Sequence, residues 1–231
     1  MNILALDTST TALNISLLRE NKLFEVFFDF GLHHTEHLAV ETEKLLTRAE
    51  IRVEDLDLIG CTSGPGSFTG LRIGISFAKG YAYGASIPLV FIPTLELLAY
   101  GKEFFPGVVF PVIDARKKRI YTAGYEAGKR ISDFLDIPPE KLIEHLPSGK
   151  RALLTGPYAY RVFDILGSLH SQSSLPLPDK TAGQSRGRAL VELTEDRYNS
   201  FGGSEESAGP FYMRASEAEL SAATKRKTAH E

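Results

Sequence analysis

The sequence is poor in cysteine, in long apolar runs and in excess charge of either sign. Its single cysteine, Cys61, excludes an internal disulfide and any zinc site built from several cysteines, and it favours a reduced, cytoplasmic protein. No apolar stretch approaches the roughly 18–20 residues that span a membrane. The first ten residues lack the basic region of a signal peptide, so no membrane association is expected.

The charges of the chain nearly balance. Lys and Arg total 26 and Asp and Glu total 29, which gives a net charge of −3. This balance argues against a chain dominated by a basic surface for nucleic acid, although it leaves room for one local basic patch. The 231 residues, of which 43% are hydrophobic, suffice for one large domain or two small ones with a sizeable core.

Three strands followed by alternating helices and strands are predicted for the first hundred residues. Strands are predicted at 3–6, 13–17, 23–28, 56–61 and 89–92, and helices at 34–48, at 69–83 and from Thr94 onward. The resulting order, βββ-α-β-α-β-α, is the plan of one lobe of the actin-like (ASKHA, ribonuclease H-like) architecture, an α/β fold.

A shortened version of the same plan follows. Residues 101–107 have the character of a boundary, so the sequence predicts an N-terminal lobe at 1–104 and a C-terminal lobe at 105–231 that ends in a frayed polar tail. Strands are predicted at 108–114, 119–125 and 152–155, and helices from Pro138-Pro139, at 158–166 and at 181–198.

The glycine-rich stretch at 63–72 lies between a strand and a helix, where anion-binding loops occur. A P-loop requires a glycine five positions after the first and then a lysine, but counting from Gly64 and Gly66 gives Thr69 and Leu71. Thr69 also replaces the third glycine of the dinucleotide-binding pattern, and no acidic residue follows at the distance that would hold a ribose. A tight strand-to-helix turn is therefore favoured over a phosphate site.

Small residues recur every four positions in the second helix, at Gly70, Gly74, Ala78 and Ala82. They form a face that lets another helix backbone come close, which gives a reason for glycines that cost roughly 1 kcal/mol each inside a helix. Contact within the same lobe and contact with another subunit both fit this spacing.

His33 and His37 have the four-residue spacing of metal ligands on a helix. The predicted helix begins at this point and no third ligand is evident, so a solvated helix start with Glu36 near the positive end of the helix dipole is favoured. No metal is predicted.

Asp7 and Asp114 follow corresponding strands of the two lobes. In actin-like ATPases this position holds nucleotide phosphate and its metal, and two carboxylates facing one cleft could bind Mg²⁺. Turn and cap chemistry after a strand is the alternative. The sequence predicts a vestigial cleft, with no catalytic residue and no cofactor.

Four motifs together resemble the TsaB (YeaZ) family. They are DTST at 7–10, SGPGSFTGLRIG at 63–74, DARKKRIYTAGYE at 114–126 and PFYMRASEAE at 210–219. GPGSFTGLR is the most specific of them, and the others follow in the family's order and approximate spacing. The resemblance extends from the first strand to about Glu219.

This resemblance implies a two-lobed actin-like fold and a role in making N6-threonylcarbamoyladenosine at position 37 of ANN-decoding tRNAs. It implies a non-catalytic subunit that pairs with the TsaD-type transferase, is joined by the TsaE-type ATPase, and meets tRNA only through that complex. Whether the chain also forms a homodimer is left open. The family's helical-bundle interface maps onto the helices at 34–48 and 69–83. The predicted interface residues are Leu38, Leu45, Gly70, Gly74, Ala78 and Ala82.

Two enzymatic alternatives accompany this prediction: an actin-like ATP-binding enzyme and a glycoprotease-like peptidase. The shortened second lobe lacks a glycine-rich adenosine motif, and no zinc pattern or spaced triad supports a peptidase. His34-Thr35-Glu36 matches the His-Ser-Glu version of the TsaB family, which further disfavours a metal. The loop at 166–180 and the tail after Glu219 match nothing specific.

Overall fold

The computed structural model describes residues 1–29, 31, 33–169 and 175–214. The tail after Glu219 and part of the 166–180 loop therefore lie outside the described residues. The first sheet contains β1 (Ile3–Asp7), β2 (Leu13–Arg19), β3 (Lys22–Phe28), β4 (Leu58–Gly64) and β5 (Leu89–Pro93), with helices α1 (His34–Arg48), α2 (Phe68–Ala85) and α3 (Thr94–Ala99). None of the helices in these ranges is both long and apolar enough to cross a membrane.

The first sheet has the strand order β3-β2-β1-β4-β5. The first three strands form an antiparallel meander, while β4 and β5 run parallel to β1 because α1 and α2 connect them as crossovers. Both crossover helices pack on one face of the sheet, where they bury Leu38, Leu45 and Leu71 against the apolar side chains of the strands.

The second sheet repeats this topology. It contains β6 (Gly107–Asp114), β7 (Ile120–Thr122), β8 (Tyr125–Glu126), β9 (Lys129–Arg130), β10 (Leu135–Ile137), β11 (Arg151–Thr155) and β12 (Leu177–Pro178), with α4 (Ala159–Leu169) between the last two. The order β10-β7-β6-β11-β12 matches the first sheet strand for strand, and the β8–β9 hairpin branches from β6. A 3-10 segment, Pro139–His145, takes the place of α1. The predicted actin-like fold with a shortened second lobe is confirmed.

The last helix, α5 (Gly187–Phe201), packs on the first sheet, on the face opposite α1 and α2. Its approach is close, because a Cβ atom on Gly60 of β4 would lie 2.0 Å from Thr194 Oγ1. Leu190 and Val191 are fully buried there. The lobe boundary at residue 105 stays a prediction. The helix α5 follows the second sheet in the sequence, but it packs on the first sheet and completes the first lobe.

Residues 202–214, called here the C-terminal strap, run along the first sheet and reach the second. Ser204 forms hydrogen bonds with two backbone groups of β5, and Phe211 donates its amide to a carbonyl of β4 at 2.7 Å. Arg214 then forms an ion pair with Asp136 of β10. The strap covers the β5 edge and ties the two lobes together.

Candidate functional site

A cleft of about 540 Å³ lies between the lobes. It is lined by the turn at 9–11 after β1, the loop at 66–69 before α2 and the segment at 113–116 after β6, together with Tyr121 and Tyr158. These segments meet because the carboxyl ends of β1 and β6 occupy equivalent places in two sheets of the same topology.

The Asp7 carboxylate forms its hydrogen bonds with groups of its own lobe. Its Oδ1 accepts hydrogen bonds from the Ser9 amide at 2.9 Å, the Ser9 hydroxyl at 2.6 Å and the Thr62 hydroxyl at 2.9 Å. The carboxylate thereby fixes the turn after β1 and joins β1 to β4. Asp7 lines a smaller adjoining cavity of about 40 Å³, which Arg186 also lines.

Asp114 also closes a turn. Its Oδ1 accepts a hydrogen bond from the Arg116 amide at 2.8 Å, and its Oδ2 lies 3.5 Å from the Arg116 guanidinium. Asp114 lines the 540 Å³ cleft, whereas Asp7 lines the smaller cavity. The smaller cavity shares Thr10 and Pro157 with the cleft, so the idea of two carboxylates facing one cleft stays a prediction. The hydrogen bonds of both residues fit the alternative, turn chemistry.

The glycine-rich loop at 63–72 packs closely against the turn after β1. A Cβ atom on Gly66 would lie 2.3 Å from the Ser9 carbonyl oxygen, and the Ser67 amide donates to that oxygen at 2.6 Å. The Ser67 hydroxyl caps α2 by accepting from the Gly70 amide at 3.2 Å. The favoured prediction, a tight turn between strand and helix, agrees with these contacts.

The small-residue face of α2 points into its own lobe. A Cβ atom would lie 2.1 Å from the Thr8 carbonyl oxygen at Gly70 and 2.2 Å from Thr8 Oγ1 at Gly74. All the predicted interface residues are buried within the chain: Leu38, Leu45, Gly70, Gly74, Ala78 and Ala82. The prediction that they meet a partner is wrong, because α2 uses this face to approach the turn after β1. Contact within the lobe, the other option that the spacing left open, is what the structure shows.

A second set of small residues lies on the exposed side of α2. Ser76, Gly80 and Gly84, called here the outer stripe, are exposed and also recur every four residues. No described atom lies within 4 Å of a Cβ atom built on Gly80 or Gly84. Phe77 and Tyr81 lie beside the stripe, half-buried, with ring centroids 4.4 Å apart. This set was not predicted, although its four-residue period is visible in the sequence.

The histidines near the start of α1 do not converge. Buried His34 places its Nε2 atom 2.9 Å from the Thr10 carbonyl oxygen, so it anchors α1 to the turn after β1. His33 Nδ1 lies 3.2 Å from a Glu36 carboxylate oxygen. Across the described ranges, no group of three His, Cys, Asp or Glu residues is placed to hold a metal ion.

A polar joint connects the lobes at Asp179. This buried carboxylate accepts from the Thr155 hydroxyl at 2.7 Å and the Thr181 amide at 2.9 Å, and it pairs with Lys102 at 3.1 Å. Arg186, which precedes α5, approaches it at 3.9 Å. Burial raises the pKa of Asp179, but these hydrogen bonds outweigh burial and bring the pKa to about 2.

Replacing Asp179 with asparagine should remove an acid-dependent part of the stability. A carboxyl whose pKa falls from 3.8 to about 2 on folding stabilises the protein above pH 3.8, and that contribution disappears as the pH falls toward 2. We expect Asp179→Asn to lower the free energy of unfolding at pH 7 and to flatten its decline between pH 4 and pH 2. Urea unfolding measures both, with exposed Asp164→Asn as the control. A decline as steep as in the wild type would contradict this assignment.

Two sheets of the same topology on either side of a cleft make this an actin-like, two-lobed protein. A family model described as TsaD: tRNA N6-adenosine threonylcarbamoyltransferase matches residues 30–144. The chain is 36% identical over 127 residues to the tRNA threonylcarbamoyladenosine biosynthesis protein TsaB of Bacillus subtilis, an alignment covering 54% of this chain and 56% of that protein. Identity to the Escherichia coli K12 protein of the same name is 35% over 128 residues, covering 54% and 55%. The chain thus matches about half the length of these curated relatives.

A solved structure covers far more of the chain. It is a Pseudomonas aeruginosa protein described as similar to peptidase YeaZ, with 27% sequence identity and a TM-score of 0.75. The superposition covers 92% of this chain and 99% of that one. With the sequence relatives and the motifs, this shows that the chain is similar to proteins of the TsaB (YeaZ) family.

Proposed function

We propose that the chain is a non-catalytic subunit required for N6-threonylcarbamoyladenosine at position 37 of ANN-decoding tRNAs. It pairs with a TsaD-type transferase, which performs the transfer, and a TsaE-type ATPase joins them. The names of the relatives support the pathway. The observation that carries the scaffold role is the bare outer stripe on α2, a surface suited to binding another helix and without reactive groups.

The side chains around the cleft support a role without catalysis. Asp7 accepts three hydrogen bonds from its own lobe on one oxygen, and Asp114 closes a turn. The Ser67 hydroxyl caps a helix, and His34 holds the turn after β1. These groups are occupied in positioning backbone, whereas a nucleophile or general base must reach a substrate.

The exposed side of α1 and α2 suits a helical partner. Gly80 and Gly84 leave the α2 backbone uncovered, so a partner helix can approach closely. Val40 on α1 and Tyr83 on α2 are 49% and 84% exposed, which adds apolar area to the same pair of helices. The family resemblance implies a partner contact on these two helices, and a homodimer would use the same surface.

Gly80→Leu tests this surface. Leucine would fill the outer stripe and keep a partner helix at a distance, whereas the fold should persist because no described atom lies within 4 Å of the new Cβ atom. We expect a loss of about tenfold or more in affinity for the TsaD-type transferase, which corresponds to about 1.4 kcal/mol or more of lost contact. Mixing on a sizing column measures the pairing, and circular dichroism checks the fold.

The control for this experiment is Gly167→Leu. Gly167 is also an exposed glycine within a helix, but it lies on α4 in the second lobe. The control should pair like the wild type. If Gly80→Leu also paired like the wild type, the outer stripe would not be the partner surface.

A further inference from the structure

Three consecutive cations follow β6, and the first of them lines the cleft. Arg116, Lys117 and Lys118, called here the basic turn, connect β6 to β7, and all three are exposed. Arg116 lines the cleft itself. The chain as a whole carries a net charge of −3, so the basic turn is a local concentration of positive charge.

The backbone of the basic turn is left-handed throughout. The φ angles of Arg116, Lys117 and Lys118 are +59°, +52° and +57°. Glycine or asparagine would adopt this conformation at lower cost than a long side chain. The sequence nevertheless has a cation at each of the three positions. Proteins retain the conformational cost of a left-handed backbone where the side chains there serve a function.

The contacts that close the turn at position 116 do not need the charge of Arg116. The Arg116 amide donates to Asp114 Oδ1 at 2.8 Å, and the Arg119 amide donates to the Arg116 carbonyl oxygen at 3.1 Å. Both contacts use backbone groups at position 116, which any residue type supplies. The Arg116 guanidinium is 67% exposed and lies 3.5 Å from Asp114, an ion pair that contributes little to stability.

Aromatic rings line the cleft beside the basic turn. Phe68, Tyr121 and Tyr158 share the cavity with Arg116. Tyr121 is buried and the Phe68 ring packs against Tyr212 and the Arg72 guanidinium, so half-buried Tyr158 supplies the aromatic wall open to a ligand. Cations that meet phosphates, placed beside rings on which unstacked bases stack, are the combination by which proteins hold single-stranded nucleic acid. An acidic protein segment would satisfy the cations but would leave the aromatic wall unused.

We propose that the basic turn binds the phosphates of single-stranded RNA, with an unpaired base against the aromatic wall of the cleft. This inference rests on the proposed function, which supplies a tRNA, and goes beyond it by giving this chain its own contact with that RNA. Arg116 lies where both parts of the contact meet, because it belongs to the basic turn and lines the cleft.

Lys117→Gln/Lys118→Gln tests the proposal without breaking the backbone contacts of the turn. The full-length chain, without the transferase, is titrated with a fluorescent unmodified transcript of an ANN-decoding tRNA between about 25 and 200 mM salt. We expect affinity to fall about 5–20-fold at the lowest salt. The slope of log affinity against log salt should decrease by about 1.4, or about 0.7 for each lost contact to single-stranded phosphate.

The matched control is Lys22→Gln/Lys129→Gln, which removes the same charge from exposed positions in the first and second lobes. It should change affinity less than about twofold, because dispersed surface charge contributes little at a distance. Three results would overturn the proposal: no RNA binding by the wild-type chain, equal losses in both variants, or unchanged RNA binding together with lost transferase pairing, which would assign the turn to a protein. Because the titration omits the transferase, the RNA-binding proposal can fail while the proposed function holds. Equally, the proposed function can fail while the isolated chain still binds RNA.

Discussion

Deleting the gene for this chain should abolish N6-threonylcarbamoyladenosine at position 37 of ANN-decoding tRNAs, as measured by mass spectrometry of digested tRNA. The purified chain alone should neither hydrolyse ATP nor form threonylcarbamoyl-adenylate. The physical reason for the second expectation is that Asp7 Oδ1 already accepts three hydrogen bonds from Ser9 and Thr62 of its own lobe. Adenylate formation or ATP turnover by the isolated chain would contradict the scaffold role.

Complementing the deletion with Asp7→Asn tests whether the chain acts as a scaffold or as a catalyst. Asparagine keeps an oxygen that can accept the hydrogen bonds from Ser9 and Thr62, so the turn after β1 should survive. We expect tRNA modification near the wild-type level. A variant that pairs normally with the transferase but supports no modification would show that the carboxylate charge has a chemical task.

Gly74→Ala should destabilise the protein by about 1–3 kcal/mol, the usual cost of overpacking a close contact. A Cβ atom there would lie 2.2 Å from Thr8 Oγ1 and 3.3 Å from two further atoms of the same side chain. Either the Thr8 side chain must rotate and lose its hydrogen bond to the Gly70 carbonyl oxygen, or α2 must move away from the turn after β1. The transition midpoint in urea, followed by circular dichroism, measures the change.

Gly80→Ala is the matched control on the opposite side of the same helix. No described atom lies within 4 Å of its Cβ position, so alanine should stabilise the protein by about 1 kcal/mol through its higher helix propensity. The critical outcome is that the two substitutions change the free energy of unfolding in opposite directions. If both substitutions stabilised the protein, the orientation assigned to α2 would be wrong.

The fold was largely predictable because local periodicity determines its long elements. The predicted helix at 34–48 is α1 with the same bounds, and the predicted helix at 69–83 lies within α2. The short strands β9, β10 and β12 were not predicted, and the strand predicted at 119–125 is divided into β7 and the start of β8. Such strands contain no full alternation of apolar and polar residues, and they exist because of the partners they pair with.

The interface residues were mispredicted for a different reason. Small residues with a four-residue period occur twice on α2, from Gly70 and again from Ser76, and both periods satisfy the same rule for close packing. Which of them faces inward depends on how α2 lies against β1 and the Thr8 turn, a long-range contact that the helix sequence does not encode. The turn chemistry of Asp7 and Asp114, by contrast, was among the local alternatives.

The position of α5 has a consequence for the chain as it leaves the ribosome. The strands of the first sheet are synthesised early, but Leu190 and Val191, which cover one face, follow only after the whole second sheet. Until then that face has neither α5 nor its buried leucines, and it presents apolar surface on which nascent chains associate. A fragment ending at residue 104 should therefore aggregate or recruit a chaperone, and of the two lobes the first to be synthesised is the last to be completed.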